Sequence, residues 1–308
     1  MGRLENQFFQ YAFARALQEK FCPGYSLNIS FTKARGLAAT KKDAVHGWQQ
    51  YNALKDFQVK ANYIDQPFKD KIHYYTFHSM FTVFRKILPE SFITSSFTEK
   101  LVLLLNKAGI YVCPSPRHLF PVSRPLVRNV SVTGYFEAYG YFESIRDILL
   151  EELTPIHDVL PHNKAMFDAI RDSESVCVHV RRGDFLSFAD TNVCGEEYFI
   201  TAMKAISEEL PGCKFFVFSD DVEAVQSTMH LPFDAEYECA DNPPYESIHL
   251  MSSCKHFIIS NSTFSWWAQY LSRNEGKIVY APSVWNLGDS NSSGVYLHYM
   301  RTMQNVKL

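Results

Sequence analysis

The sequence predicts an α/β protein with a parallel sheet in its second half. Three observations carry that prediction. From about residue 170, short apolar runs alternate with segments of helical periodicity. Each of the first three runs ends in a cluster of polar residues. Of the 308 residues, 46% are hydrophobic and 20% charged, the composition of a chain that buries a full core and not of a disordered one.

Lys and Arg number 30 against 33 Asp and Glu, a net charge of −3, which excludes a chain built to coat a polyanion such as nucleic acid. Aromatic residues reach 15%, with 25 Phe and 17 Tyr, and are assigned to core packing ahead of a sugar-binding surface. The 7 cysteines are odd in number and contain no C-x-x-C pair. That argues against a structural zinc site and a dense disulfide framework, and favours a reducing compartment. The opening residues MGRLENQFFQYAFARAL lack a clean apolar signal core, and no stretch is long and apolar enough to cross a membrane.

Taken in order, residues 7–20 place Phe8, Tyr11, Ala12, Ala16 and Leu17 at helical spacing, with Asn6 as the expected cap. Pro23-Gly24 stops that helix. Residues 98–106 predict a second helix, and Pro114, Pro116, Pro121 and Pro125 mark an irregular connection after it. Residues 1–165 thus read as one domain of helices and irregular links, and residues 166–308 as another. In the second, residues 176–180, 215–218, 257–259 and 278–281 are apolar runs of strand length. Between the first two, Phe199, Ala202, Met203, Ile206 and Leu210 recur at helical spacing until Pro211-Gly212. Strands alternating with helices indicate a parallel sheet covered on both faces.

The residues at the end of each run point to function. The first is followed by Arg181-Arg182-Gly183-Asp184, the second by Ser219-Asp220-Asp221, the third by Ser260-Asn261-Ser262-Thr263-Phe264-Ser265-Trp266-Trp267. In open α/β sheets ligands bind beyond the carboxyl ends of the strands. One such loop is ordinary capping and turn chemistry; three, one with paired arginines, indicate a shared binding site.

His179 and Arg181 share a strand face, and Gly183 permits a tight turn beside a ligand. A guanidinium matches phosphate oxygens with a rigid fork of donors, so one arginine is expected to hold a diphosphate while the other pairs with Asp184. The alternative is a structural Arg–Asp pair. Ser262 or Thr263 caps the helix that follows the third run, and its free N–H groups suit a phosphate. Trp266 and Trp267 are expected to pack that helix on the sheet, with sugar stacking the lesser reading. Asp220 and Asp221 are adjacent, and adjacent carboxylates rarely face the same way, which argues against a metal pair; guanine recognition and helix capping stay open. No metal-ligand spacing links the other histidines. There is no G-x-G-x-x-G, Walker lysine loop, H-E-x-x-H or G-x-S-x-G.

Together these segments resemble the α-1,2-fucosyltransferases of glycosyltransferase family 11. Residues 1–14 (MGRLENQFFQYAFA) resemble the family's opening Gly-Gly/Arg-Leu-Gly-Asn-Gln loop and helix. Residues 179–184 are similar to its H-x-R-R-G-D motif, 216–221 to its second strand-end motif, and 250–256 with 261–267 to its third. Residues 139–144 (YGYFES) also match a family segment, and 25–130 match least. The resemblance implies a GT-B fold of two facing Rossmann-like domains, 1–165 on the acceptor side and 166–308 binding GDP-fucose. It implies transfer of L-fucose, with inversion, to the 2-hydroxyl of a terminal β-galactose on a glycan acceptor, without a metal. By the same resemblance Arg181 contacts the diphosphate and Arg182 assists. Asn261, Ser262, Thr263 and Ser265 line the phosphate end, His179 and Asp220 or Asp221 lie near guanine, and Asn6 faces the cleft. Asp184 and Glu5 are the carboxylates considered as a base, although a loose transition state does not require a strong one.

Two departures accompany the match. Family members begin with a buried strand before the opening loop, so this first strand is expected to be missing, through truncation or a misassigned start. Glu5 replaces the usual Gly, placing a carboxylate where close approach to a diphosphate is expected. Two competing readings remain beside the fucosyltransferase one: a relative that binds a nucleotide sugar or glycan without turnover, and a sibling transferase with another acceptor. Bacterial members are cytoplasmic or peripheral on the inner membrane and animal members sit in the Golgi membrane, so the resemblance allows either location.

Overall fold

The computed structural model describes residues 3–30, 52–64, 72, 76, 79–183, 193–287 and 292–304. The chain divides into two units, one of Met1–Lys55, Val59–Glu152 and Ser293–Val295, the other of Asp56–Gln58, Leu153–Ser292 and Tyr296–Leu308.

In the first unit the expected amino-terminal helix begins earlier than its sequence cap. Helix α1 spans Leu4–Phe21, and its cap position is Arg3, in extended conformation and with no side-chain cap bond. Asn6 is therefore not the cap: it lies inside the first turn, its N–H donating to the Arg3 carbonyl at 3.1 Å. Burial decides the start, because Leu4 is 3% exposed and extends the apolar face of Phe8 and Phe9 by one turn. Phe13 stacks on Phe136 with ring centroids 3.8 Å apart and meets the edge of Tyr141. On another face of α1 two polar groups share a buried carboxylate. Tyr11 Oη donates to Glu152 Oε2 at 2.5 Å and Arg15 Nε donates to the same oxygen at 3.0 Å. A carboxylate this buried persists only with such donors.

The remaining strands of this unit are short. Strand β1 (Asn28–Ile29) pairs parallel with β2 (Asn62–Tyr63). Helices α2 (Ser79–Ile87), α3 (Glu90–Ile93) and α4 (Ser96–Lys107) follow, α4 capped by the Ser95 side chain. Strand β3 (Ile110–Val112) pairs parallel with β4 (Ser131–Thr133), and α5 (Arg146–Glu152) closes the unit. Gly109, at φ +77°, makes the turn from α4 into β3 in a conformation L side chains rarely adopt.

The second unit is an α/β layered structure, as the alternating pattern predicts. After α6 (Lys164–Asp172), strand β5 (Ser175–Val180) is buried along its whole length. It is followed by α7 (Glu196–Glu209), β6 (Lys214–Ser219), α8 (Val222–Thr228), β7 (Ala235–Tyr237) and α9 (Pro244–Ser253). Strand β8 (His256–Ile258), α10 (Thr263–Leu271), β9 (Val279–Pro282) and β10 (Met300–Met303) complete it. The six strands lie in the order β10-β9-β8-β5-β6-β7, every neighbouring pair parallel.

Period-2 alternation divides the two faces of β5. Val176, Val178 and Val180 enter one core with Tyr198, Phe199, Ala202, Met203 and Ile206 of α7 and Val225 of α8. Ser175, Cys177 and His179 face the other way and are equally buried. Cys177 is thus a small core residue at 0% exposure. On α10, Trp266 and Trp267 are 0% exposed and form a packed trio with Tyr270. They are core residues, and sugar stacking by either ring is excluded by their burial.

The strand order fixes where a ligand can sit. The chain runs outward from β5 through β6 to β7, then crosses back to place β8 on the other side of β5. That reversal is the switch point of a doubly wound sheet, where the carboxyl ends diverge and open a crevice. Among the described residues, no helix is long and apolar enough to cross a membrane.

Candidate functional site

The carboxyl ends of β5, β6 and β8 bring the three polar clusters to one edge of the sheet. The register aligns Val180 with Ser219 and Val178 with Ile258, so the loops that follow are neighbours by construction. Side-chain bonds join them. Arg181 Nη1 lies 3.0 Å from Asp220 Oδ2, each side chain being 10% exposed. The other carboxylate oxygen, Asp220 Oδ1, accepts the Arg182 backbone N–H at 2.8 Å. One carboxylate therefore grips the β5 loop twice. Asp184 lies outside the described residues, and Asp220, just past the end of the neighbouring strand, is a partner of Arg181.

Gly183 completes this arrangement. A Cβ built there would lie 3.1 Å from Asp220 Cγ and closer still to Oδ2. The close approach that requires glycine is thus to the Asp220 carboxylate. Arg182 has its Nε buried with no hydrogen-bond partner among the described residues.

The two aspartates separate, as their adjacency suggests. Asp221 caps α8: its side chain accepts the Ala224 N–H at 3.1 Å, while its own N–H donates to Ser219 Oγ at 3.0 Å. Capping describes Asp221; ion pairing describes Asp220.

On the other side of β5, His179 is 3% exposed, with Nδ1 2.9 Å from Ser260 Oγ. Burial, and then the charge of Arg181, push its pKa down to about 3. The imidazole is neutral at physiological pH and ties the β5 end to the β8 end. Ser262 is the cap of α10, its Oγ accepting the Phe264 N–H at 3.3 Å; Thr263 is the first helical residue. Ser265 is fully buried, and its hydroxyl donates to the Ser262 carbonyl at 3.1 Å and the Ser260 carbonyl at 3.4 Å. Asn261 donates from Nδ2 to the Trp285 carbonyl at 2.9 Å and accepts from Cys194 Sγ at 3.7 Å. Ser265 and Asn261 are engaged with backbone carbonyls, which leaves the α10 N-terminus itself, with its positive dipole end, as the anion-attracting feature.

Two residues that sequence reasoning did not single out support the same edge. Tyr198 of α7 donates from Oη to the Ile259 carbonyl at 2.7 Å and to the Tyr280 carbonyl at 3.3 Å, satisfying acceptors where β8 ends. Glu238, just past β7, accepts the Ser219 N–H at 3.1 Å. The signal for Glu238 was its place after a strand, but Ala235–Tyr237 is too short and too polar to read as one. Asn6 lies in the first unit, half-buried on α1.

The model of "Glycosyl transferase family 11" matches residues 118–292, which takes in all three strand-end loops. The chain belongs to glycosyl transferase family 11. It is similar to the alpha-1,2-colitosyltransferase of Escherichia coli, at 29% identity over 68% of this chain and 78% of that one. It is also similar to the O-antigen biosynthesis glycosyltransferase WbnK of Escherichia coli, at 25% identity over 94% of this chain and 95% of that one. A galactoside 2-alpha-L-fucosyltransferase of Caenorhabditis elegans is 27% identical over 47% of this chain and 43% of its own. Among solved structures, the chain is similar to E. coli ADP-heptose LPS heptosyltransferase II, with TM-score 0.42 and 14% identity over 96% of this chain and 86% of that one. By family, then, the chain is a glycosyltransferase, and the edge formed by β5, β6 and β8 is its candidate donor-binding edge.

Proposed function

We propose that this glycosyltransferase moves L-fucose from GDP-fucose, with inversion, to the 2-hydroxyl of a terminal β-galactoside. The observation that carries the reading is the meeting of Arg181, Asp220 and the α10 N-terminus at the switch point of the sheet. Breaking a fucosyl–phosphate bond leaves positive charge on the sugar and negative charge on the departing diphosphate. Arg181, oriented by Asp220, and the helix-end N–H groups stabilise that negative charge as it grows. The Arg182 guanidinium is a further donor for the same oxygens. Cationic and dipolar groups of the chain do here the work that a divalent cation does in other transferases. The second unit holds the donor, and the first, with Asn6 on α1, supplies the acceptor side of a GT-B enzyme. The attacking hydroxyl loses its proton late in such a loose transition state, so the reading assigns no strong base.

Calorimetric titration of GDP and GDP-fucose, without and with magnesium, tests the donor site, and a galactoside acceptor tests transfer. Binding without magnesium that Arg181→Ala weakens supports the reading; binding that demands magnesium counts against it. A second reading takes a colitosyl donor, favoured by the similarity to the colitosyltransferase; it predicts transfer from the colitosyl nucleotide and none from GDP-fucose. Nucleotide binding with no transfer from either donor, restored by Glu5→Gly, would locate the defect at the first turn of α1, where Glu5 lies.

A further inference from the structure

Past the end of β7 lies a carboxyl group that the fucosyl-transfer chemistry leaves unused. Glu238 is 7% exposed, and three donors converge on it. The Ser219 N–H reaches Oε1 at 3.1 Å; the Ser247 hydroxyl and the Asn242 amide reach Oε2 at 2.6 and 3.4 Å. Ser219 is the last residue of β6 and the first of the Ser219-Asp220-Asp221 turn. From there the links run on. Ser219 Oγ accepts the Asp221 N–H, and between them Asp220 holds the Arg181 guanidinium and the Arg182 N–H. A buried acid thus fixes, through one backbone bond, the turn that carries the anchor of the arginine loop.

A mere tether for a turn does not call for an acid, since a neutral amide or hydroxyl would accept the same N–H without the penalty of burying charge. The titratable groups around Glu238 are Asp220 at the β6 end, with Arg181 paired to it from the β5 end, and the buried, neutral thiol of Cys177 on β5. Asn242 and Ser247, toward α9, are neutral. Burial first, and the Asp220 charge with it, raise the Glu238 carboxyl to about 7 against the pull of its three donors.

We propose that Glu238 is a positioning residue of the nucleotide-sugar site, setting through Ser219 the placement of Asp220 and through Asp220 that of Arg181 and the Arg182 N–H. The proposal rests on the donor-site reading. It is tested on the full chain by two measurements: the Ser219 amide resonance followed against pH, and GDP affinity by calorimetry below each variant's unfolding temperature. In the wild type the Ser219 amide shifts with a midpoint near pH 7, the value of the Glu238 carboxyl, and Glu238→Gln abolishes the shift. Glu238→Gln keeps a carbonyl for the Ser219 N–H and holds GDP affinity within about threefold, while Glu238→Ala loses at least about tenfold. Should Glu238→Ala not fold, Ser247→Ala replaces it: removing a donor from the carboxylate raises the Ser219 midpoint, and an unmoved midpoint overturns the proposal. So does a folded Glu238→Ala that binds GDP like the wild type, whatever its loss in thermal stability. A wild-type chain that binds no GDP overturns the donor reading itself and this proposal with it, an outcome plainly different from binding that ignores Glu238.

Discussion

After β8, the polar side chains are committed to backbone groups: Asn261 to the Trp285 carbonyl, Ser265 to two carbonyls, Ser262 to the start of α10. After β5 and β6, Arg181 and Asp220 reach across strands instead, in an ion pair and a charge-assisted bond to a backbone N–H. One loop is a frame, tied to backbone and buried. The other two form a clasp of an arginine, an aspartate and a backbone N–H. The contrast separates residues that shape the site from residues that can exchange one partner for a ligand. It predicts that substitutions in the frame register in stability and substitutions in the clasp register in binding.

The largest expected effect is in the clasp. Arg181→Ala removes a charge-assisted contact and lowers GDP affinity by about 1.5–3 kcal/mol, roughly 10- to 150-fold, measured below the variant's unfolding temperature. Equal affinity in the variant, read by calorimetry, would break the comparison at its strongest point. Next comes Asn261→Ala in the frame. It leaves buried groups without their partner and destabilises the fold by about 1–3 kcal/mol in urea titration, with a smaller change in GDP affinity than Arg181→Ala produces. The opposite ranking would make Asn261 a ligand group. Gly183→Ala tests the fit between the β5 and β6 loops. The added methyl displaces the Asp220 carboxylate, at a strain of about 1–3 kcal/mol, and the chain stays folded with weakened GDP binding. A crystal structure of the variant with the Arg181–Asp220 pair intact would refute the fit.

The smallest effect concerns pH. His179 bridges frame and clasp as a neutral buried ring, with its pKa depressed to about 3 from 6.5. Between those values the unfolded chain binds a proton that the folded chain does not. The His179 contribution is therefore complete above pH 6.5 and is lost progressively as pH falls toward 3. Urea midpoints measured at pH 7.5 and pH 5 should fall less in His179→Asn than in the wild type; equal drops would mean the ring is not held neutral. Glu238 has the opposite sign. Its raised pKa makes the folded chain the better proton binder between its ordinary value of 4.5 and about 7, so its term declines as pH rises through that window.

How much the sequence makes legible depends on locality. Strands β5, β6, β8 and β9 carry continuous apolar runs, because their central residues are buried on both faces. Strands β7 and β10 escape notice: they are the outer strands of the sheet, and Glu236, Arg301 and Thr302 interrupt them as exposed polar residues. The clusters at the strand ends can be read one by one, and family 11 membership makes their union legible. Their pairing cannot be read. Asp184 is the acid next to the arginines in sequence, whereas Asp220 is brought beside them only by the register of β5 against β6. Glu238 and Tyr198 are hidden for the same reason, since each acts on a backbone group of a different element. The helix start expected at Asn6 falls earlier because a helix can begin without a side-chain cap when a buried leucine extends its apolar face.

The order of strands in the six-stranded sheet also has a kinetic meaning. Strand β5 is the first of its sheet to leave the ribosome, yet it lies in the interior, and its neighbour β8 pairs with it 80 residues further along, as in Val176 with His256. Closing so long a loop delays pairing relative to local hairpins and helices. The clasp can assemble as soon as β6 docks, but the helix end that follows β8 arrives only after the crossover is complete. Nucleotide binding by a refolding chain should therefore lag the first appearance of secondary structure, and its onset would date the closure of the sheet.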